Sequence, residues 1–240
     1  MKDLHTHTTF SDGKNTPEEM VQAAIRAGLT EYGISDHGYT PFDESYCMPQ
    51  SRYGEYRAAL AGLREKYKGQ ISLRLGMEQD FYSVPAPQGL DYVIGSVHYL
   101  RCGDAFVPVD EDAAILRGAV SRYFGGDPYA LCEQYFDTVS RVAEKTGARI
   151  IGHFDLVAKF NQQSPWFDEQ HPRYRAAWQK AMRTLVPSGA VFEVNWGARN
   201  RGLRTVPYLT DEMQAYLTAL GGRMLPSSDA HRAEDVGKFG

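Results

Sequence analysis

Short apolar runs alternate with amphipathic segments along almost the whole chain. The apolar runs resemble β-strands and lie near residues 2–6, 31–35, 71–77, 90–97, 149–152, 190–195 and 223–228. Helical patterns separate most of them. Repeated strand–helix units imply parallel strands joined by right-handed crossovers. About seven such units in one domain predict an α/β fold, and they favour a closed or nearly closed (β/α) barrel over an open sheet.

Two helix starts are marked by capping residues. Thr16-Pro17-Glu18-Glu19 has the spacing of a capping box with proline at the first helical position, and Gly28 suits the end of that helix. Asp127-Pro128 opens a second helix in the same way, and Gly147 closes it. Two further segments are predicted to be helical, residues 173–186 and 210–220.

Residues of the types that commonly bind metals follow six of the seven strand-like runs. In a parallel barrel these positions converge on one rim, and histidine is the commonest metal ligand. Imidazole and carboxylate groups without thiolates suit zinc, manganese or ferrous iron. Nine ligands are too many for one or two ions that keep open positions, so three ions are predicted. The candidate ligands are His5, His7, Asp12, His37, Glu78, His98, His153, Asp229 and His231.

Several of these residues also have ordinary interpretations. The His5-x-His7 pair shares one face of an extended chain but could lie there by coincidence. Asp12 precedes a glycine and would usually be a turn residue. An isolated His98 or His153 would more often be a core residue. Only the coincidence of all nine positions favours a metal site, and His171, in a polar stretch before a helix, is predicted to be a surface or capping residue.

Positive side chains on the same predicted rim are candidates for binding phosphate. Arg199 and Arg201 follow the sixth run, and Lys159 follows the fifth. A guanidinium group there could bind a phosphate through two hydrogen bonds, with Arg199 as the first candidate and Lys159 as the second. Three neighbouring polar residues are expected to support the ligands or the substrate rather than to bind metal: Asp155, Glu193 and Asn195.

Composition narrows the class of protein. The net charge is −4 without a lysine or arginine block, which argues against nucleic acid as a partner. We see neither a membrane-spanning apolar run nor a secretory leader, so no membrane partner is expected. Three scattered cysteines (Cys47, Cys102 and Cys132) suit free thiols in a reducing cytoplasm. The oligomeric state is left open.

The order of these motifs resembles a known superfamily. HxH near the N-terminus, SDH, a glutamate at a strand end, SVH, GHFD and SSDAH resemble the PHP (polymerase and histidinol phosphatase) superfamily. The resemblance covers nearly the whole chain. Three segments are similar to its monofunctional histidinol-phosphatase branch: Tyr92–His98, Ile151–Leu156 and Phe192–Asn195.

The resemblance implies a distorted (β/α)7 TIM-like barrel over residues 1–240 that holds three divalent ions. It implies that the first ion is bound by His5, His7, Glu78 and Asp229, the second by Glu78, His98 and His153, and the third by Asp12, His37 and His231. Similar proteins usually continue past the DAH motif with a further helix. This sequence ends at Gly240, so either the chain is shortened or its final packing differs.

The predicted reaction is hydrolysis of L-histidinol phosphate to L-histidinol and phosphate. A hydroxide between the first two ions is expected to attack phosphorus, while the third ion, held partly by His231, and Arg199 neutralise the phosphate oxygens. Asp229 or a metal-bound water protonates the leaving alkoxide. The predicted catalytic residues are therefore Asp229, Arg199 and His231, and the predicted substrate contacts are Arg199, Lys159 and Asn195.

The sequence leaves three alternative functions to consider. A phosphoesterase for another small phosphate ester or a nucleotide would use the same metals. A DNA-end exonuclease is disfavoured because there is no basic stripe, and a metal-binding scaffold is disfavoured because no ligand position is missing. The aromatic segment 38–56 is interpreted either as a lid over the rim or as a surface loop that packs on itself.

Overall fold

Seven strand positions surround the centre of the molecule in the computed structural model, which covers residues 1–240. Each of the seven apolar runs contains a strand. The third position is one strand interrupted after Leu75 and resumed at Glu78. The strands are β1 Lys2–Asp3, β2 Glu31–Ile34, β3 Ser72–Leu75, β4 Glu78–Asp80, β5 Ile94–Ser96, β6 Tyr99–Cys102, β7 Ala105–Pro108, β8 Ile150–Ile151, β9 Val191–Asn195 and β10 Arg223–Ser227.

The strands form two parallel sheets that meet at both edges. One sheet has the order β1-β2-β3 and the other the order β10-β9-β8-β5-β4. Single parallel bridges join them, Thr6 with Ala230 at one seam and His37 with Glu78 at the other. The strand positions therefore form a distorted (β/α)7 barrel, as predicted. The antiparallel hairpin β6-β7, which the sequence pattern did not reveal, is a separate sheet.

The helices confirm both predicted starts. Thr16 and Glu19 form the capping box of α1, and the Asp127 carboxylate accepts hydrogen bonds from the first turn of α4. The second helix does not run unbroken to Gly147, because it is interrupted at Arg141. The helices are α1 Pro17–Arg26, α2 Tyr53–Lys66, α3 Ala113–Tyr123, α4 Pro128–Ser140, α5 Val142–Thr146, α6 Pro172–Leu185, α7 Gly197–Asn200 and α8 Asp211–Ala219.

Connections around the barrel are unequal in length. The link from β4 to β5 contains no helix, whereas the link from β5 to β8 contains the hairpin and three helices. His171 caps α6, as predicted, since its Nδ1 accepts a hydrogen bond from the Arg173 amide at 3.2 Å. None of the helices combines the length and the apolar character that crossing a lipid bilayer requires.

The barrel interior is filled beneath the strand ends by side chains from four positions, Leu4, Ile94, Ile150 and Leu225. Tyr92 packs against this layer. A Cβ atom on Gly33 would lie 2.2 Å from the Tyr92 hydroxyl, and one on Gly76 would lie 2.1 Å from its ring. These glycines therefore leave the space that the tyrosine occupies. The result is an apolar floor below the polar residues at the carboxyl ends of the strands.

Candidate metal centre

All nine candidate ligands meet at the carboxyl ends of the strands. Seven of them are buried, while Asp12 and His231 are partly exposed. Their donor atoms form four overlapping groups, in each of which the atoms lie within 4.8 Å of one another. The groups are His7, Asp12, His37 and His231; His5, His7 and Asp229; His5, Glu78 and His153; and His37, Glu78 and His98.

Glu78 lies at the centre of the cluster, and its two carboxylate oxygens face different imidazoles. Oε2 is 3.0 Å from Nε2 of His5 and 3.1 Å from Nδ1 of His37. Oε1 is 2.8 Å from Nε2 of His153 and 3.4 Å from Nε2 of His98. A carboxylate in this position can bind a cation on either side.

Asp12 organises the outer part of the cluster. Its carboxylate lies 3.2 Å from His231 Nε2 and 3.7 Å from His37 Nε2. The His7 ring stacks between the other two, with its centroid 4.3 Å from that of His37 and 4.2 Å from that of His231. The turn at Asp12-Gly13 therefore brings a carboxylate to three imidazoles.

The donor set fits divalent cations. His5 Nε2, both ring nitrogens of His7 and Glu78 Oε2 are buried and make no hydrogen bond within the protein. A buried polar atom without a partner is costly. Imidazole nitrogens and carboxylate oxygens are the ligands that zinc and similar metals prefer. Coordination would satisfy these atoms.

The protonation states of two central residues suit this role. Burial, together with the neighbouring His231 and His37, lowers the pKa of His7 to about 3, so the ring is neutral. Burial alone would raise the pKa of Glu78, but His5 and His37 outweigh it and hold that pKa well below its usual range. A neutral imidazole and an ionised carboxylate are the forms that bind metal.

Glu193 fixes the orientation of His5 from behind. Its two oxygens lie 2.8 and 2.9 Å from His5 Nδ1, so Nδ1 donates a hydrogen bond to Glu193 and Nε2 is the ring nitrogen that faces Glu78. Asn195 in turn donates a hydrogen bond from Nδ2 to Glu193 Oε2 at 3.2 Å. The structure places both residues under the cluster, as expected for Glu193.

A buried aspartate fixes the turn that leads to Asp12. Asp36 accepts hydrogen bonds from the Thr8 and Ser11 amides, at 2.8 and 3.2 Å. It also accepts one from the Thr8 hydroxyl at 2.7 Å. These bonds hold the backbone between His7 and Asp12, so Asp36 fixes the position of a candidate ligand without belonging to the cluster itself.

Two more buried aspartates hold the backbone next to candidate ligands. Asp80 accepts a hydrogen bond from the His98 amide at 2.6 Å. Asp3 accepts one from the Ser228 amide, the neighbour of Asp229, at 3.2 Å. These roles were not identified from the sequence; an aspartate at a strand end near a ligand was the available signal.

The backbone at Asp229 is unusual. Asp229 has a φ of 50°, in the left-handed region that costs most residues energy but that aspartate tolerates. Gly197 makes room for it, because a Cβ there would lie 2.6 Å from Asp229 Oδ2. The conformation turns the Asp229 carboxylate toward His5 and His7, at 3.7 and 3.4 Å.

Two of the three predicted substrate contacts do not line the cavity above the cluster. Arg199 is exposed and lies over the Trp196 ring, with its guanidinium carbon 4.9 Å from the ring centroid. Asn195 is buried, and its amide is engaged with Glu193 and the Gly197 backbone. Lys159 does line the cavity, where its Nζ lies 3.2 Å from Asp110 Oδ2.

Of the two arginines that follow the sixth run, Arg201 is the one that lines the cavity. Its Nη2 lies 3.3 Å from Asp229 Oδ2, and its Nη1 donates a hydrogen bond to the Asp229 carbonyl at 3.2 Å. The short helix α7 explains the correction, because its turn points Arg199 toward Trp196. Both arginines follow the same strand; the sequence favoured Arg199, whereas Arg201 is the one that lines the cavity.

The cavity has a volume of about 500 Å³. Four basic side chains line it, Lys14, Lys159, Arg201 and Arg232. Most of the candidate ligands also line it, together with parts of segment 38–56 and of the β6-β7 hairpin. These two parts are joined, since the Tyr99 hydroxyl donates to Asp43 Oδ2 at 2.6 Å and Phe42 stacks on Phe106 at 3.8 Å. Segment 38–56 thus reaches the rim of the cavity, and its last residues form the start of α2.

Known proteins resemble this chain in sequence and in structure. Histidinol-phosphatase from Bacillus subtilis strain 168 is 27% identical over 264 residues, which cover 98% of this chain and 95% of the relative. A Listeria monocytogenes protein provisionally named histidinol phosphatase superposes with a TM-score of 0.85 at 21% identity, covering 99% of this chain and 98% of the other. Histidinol phosphate phosphatase from Lactococcus lactis, in complex with Zn, L-histidinol and phosphate, superposes with a TM-score of 0.72 at 20% identity. The match covers 97% of this chain and 86% of the other.

The structural matches show that the barrel is shared with these proteins. A family model described as the PHP domain matches residues 3–196. That range includes the first seven of the nine clustered side chains, from His5 to His153. Since the match covers most of the 240 residues, this chain belongs to the PHP domain family.

Proposed function

We propose that this protein is a metal-dependent phosphomonoesterase that hydrolyses L-histidinol phosphate to L-histidinol and phosphate. The observation that carries the proposal is the position of Glu78, whose two oxygens face separate sets of imidazoles. The choice of substrate is based on relatives named histidinol-phosphatase, which align with nearly the whole chain. The Lactococcus lactis complex with Zn, L-histidinol and phosphate has the same fold.

Three divalent ions are proposed, with zinc, manganese and iron as the candidate metals. The first two ligand sets share Glu78, whose Oε2 faces His5 and whose Oε1 faces His98 and His153. The first is His5, His7, Glu78 and Asp229, the second is Glu78, His98 and His153, and the third is Asp12, His37 and His231. Bound divalent ions supply Lewis acidity that activates water and polarises phosphoryl oxygens.

The protein's own residues prepare the site in two ways. Glu193 keeps the proton of His5 on Nδ1 and thereby leaves Nε2 free as a ligand atom. The cations Arg201 and Lys159 lie at the cavity wall, where they can bind a phosphate dianion and neutralise the charge that develops on its oxygens. We therefore assign to Arg201 the role first predicted for Arg199.

The leaving alkoxide needs a proton. Asp229 is the side-chain candidate, and a water molecule is the other. Asp229 lies 3.3 Å from the Arg201 guanidinium, an arrangement that favours its ionised form and therefore favours water as the donor.

The test is phosphate release from L-histidinol phosphate compared with a panel of other small phosphate esters. The protein is stripped with a chelator and reloaded separately with zinc, manganese or ferrous iron. We expect activity to return with metal and kcat/KM to be highest for L-histidinol phosphate. Better turnover of another ester would keep the metal chemistry and refute the substrate, whereas metal-loaded protein that hydrolyses none of the esters would refute the proposed activity.

A further inference from the structure

The loop that carries Arg201 is closed at its base. Asn195 and Tyr208 form an isolated antiparallel bridge, in which the Tyr208 amide donates to the Asn195 carbonyl at 2.8 Å. Residues 196–207 lie between them and contain α7 and Arg201. Arg201 therefore reaches the cavity from a loop, whereas most of the candidate ligands lie at or close to strand ends. Its position depends on whatever holds this loop in place.

A second arginine of the same loop points the other way. The Arg204 side chain is completely buried, and its Nη1 lies 3.2 Å from Oδ2 of Asp155, which is also completely buried. Its guanidinium carbon is 5.0 Å from the Tyr208 ring centroid. Arg204 does not line the cavity. It can affect a bound substrate only through other residues.

Asp155 contacts both the loop, at Arg204, and the segment that follows the loop, at Leu209. While Oδ2 faces Arg204, Oδ1 accepts a hydrogen bond from the Leu209 amide at 2.6 Å. Leu209 has a φ of 63°, a left-handed conformation that is unfavourable for leucine and persists only where the surroundings enforce it. A single carboxylate, two residues after His153, thus holds the loop at Arg204 and at its exit.

Buried ion pairs are weak sources of stability, because desolvation offsets most of the attraction. Their charges nevertheless require one arrangement, since an unpaired buried charge is costly. Here the Arg204–Asp155 pair fixes the buried side of the loop, while Arg201 on the cavity side contacts Asp229. Two arginines of one loop, three positions apart, therefore differ in role: Arg201 faces the cavity, and Arg204 anchors the loop to Asp155.

We propose that the Arg204–Asp155 ion pair is a positioning pair that holds loop 196–207 so that Arg201 faces the phosphate group of the substrate. The inference rests on the proposed function, because it assumes that Arg201 binds phosphate. Neither Arg204 nor Asp155 is a catalytic residue in this proposal, since both act through Arg201.

The test is a double-mutant cycle in the metal-loaded, full-length protein. Arg204→Met, Arg201→Ala and the double variant are compared for kcat and KM with L-histidinol phosphate, and for the Kd of inorganic phosphate by calorimetry. Because small misplacements of a binding group are costly, we expect Arg204→Met to raise KM and the phosphate Kd by about 10- to 100-fold. Metal content should stay unchanged, and the effect should largely disappear when Arg201 is already alanine.

Two controls keep the test decisive. Arg183→Met removes an exposed arginine elsewhere and should change neither constant. If Arg204→Met does not fold, the charge-neutral double variant Asp155→Asn/Arg204→Met replaces it, because the new asparagine side chain can still accept the Leu209 hydrogen bond. An equal loss with and without Arg201, an unchanged KM, or a loss of metal would each overturn the positioning role.

The phosphate measurement separates this inference from the proposed function. If the wild type hydrolyses none of the esters but binds phosphate, and Arg204→Met weakens that binding only when Arg201 is present, the positioning role stands and the proposed activity falls. If the wild type hydrolyses L-histidinol phosphate and Arg204→Met has no effect on KM, the proposed activity stands and the positioning role is refuted.

Discussion

The strand ends and loop 196–207 contribute to the same cavity in different ways. Most candidate ligands lie within a few residues of a strand, so the sheet hydrogen bonds determine where they are. Arg201 lies six residues after β9, beyond a short helix, and its position depends on contacts made by other side chains. Pairing of the strands therefore determines the positions of most ligands, whereas the position of Arg201 depends on the contacts that hold its loop.

The largest effect is expected from the strand-end side of this comparison. Glu78→Gln should lower phosphate release by about 10³-fold or more, because one preorganised electrostatic contact is already worth about 10²–10³-fold. Bound metal, measured by mass spectrometry, should fall as well. Glu144→Gln, at an exposed helix position, is the matched control. Full metal content and full activity in Glu78→Gln would remove the basis of the metal assignment.

The loop side is tested by its two arginines. Arg201→Ala should lower kcat/KM by about 10²-fold, because it removes a charge that faces the phosphate, while the metal content stays the same. Arg199→Ala should leave kcat/KM almost unchanged, since Arg199 contacts Trp196 outside the cavity. Steady-state kinetics on both variants decides the matter. The opposite order of effects would return the role to Arg199.

A smaller effect is expected one layer behind the ligands. Glu193→Gln removes the charge that fixes His5 and should weaken metal binding by about 10- to 100-fold, as such supporting contacts usually do. Competition with a metal indicator measures the change. Kinetics at saturating metal should be affected much less. Unchanged metal affinity would mean that the strand alone orients His5.

The smallest effect is expected far from the cavity. Thr16→Ala removes the side-chain acceptor at the start of α1 and should lower the free energy of unfolding by about 1 kcal/mol. Thr16→Ser keeps the acceptor and is the matched control. Urea denaturation measures the stability, and kcat/KM should stay the same in both variants. A loss of activity in Thr16→Ala would show that α1 is coupled to the site more closely than its position suggests.

The fold was predictable because its signals are local. All seven apolar runs contain a strand, and the starts of α1 and α4 have the predicted caps. The β6-β7 hairpin was missed because its strands follow β5 almost directly and continue its apolar pattern. The break at Arg141 was missed because helical spacing continues across it.

The sequence by itself determined which side chains could meet, because parallel strands bring their carboxyl ends to one rim and His5, Glu78 and His153 each follow an apolar run. Only the tertiary structure decided which atoms face each other: that the two oxygens of Glu78 point to different imidazoles, and that Arg201 rather than Arg199 reaches the cavity. The physical reason is that strand pairing depends on local periodicity, whereas the direction of a loop side chain depends on buried partners such as Asp155, which are distant in sequence.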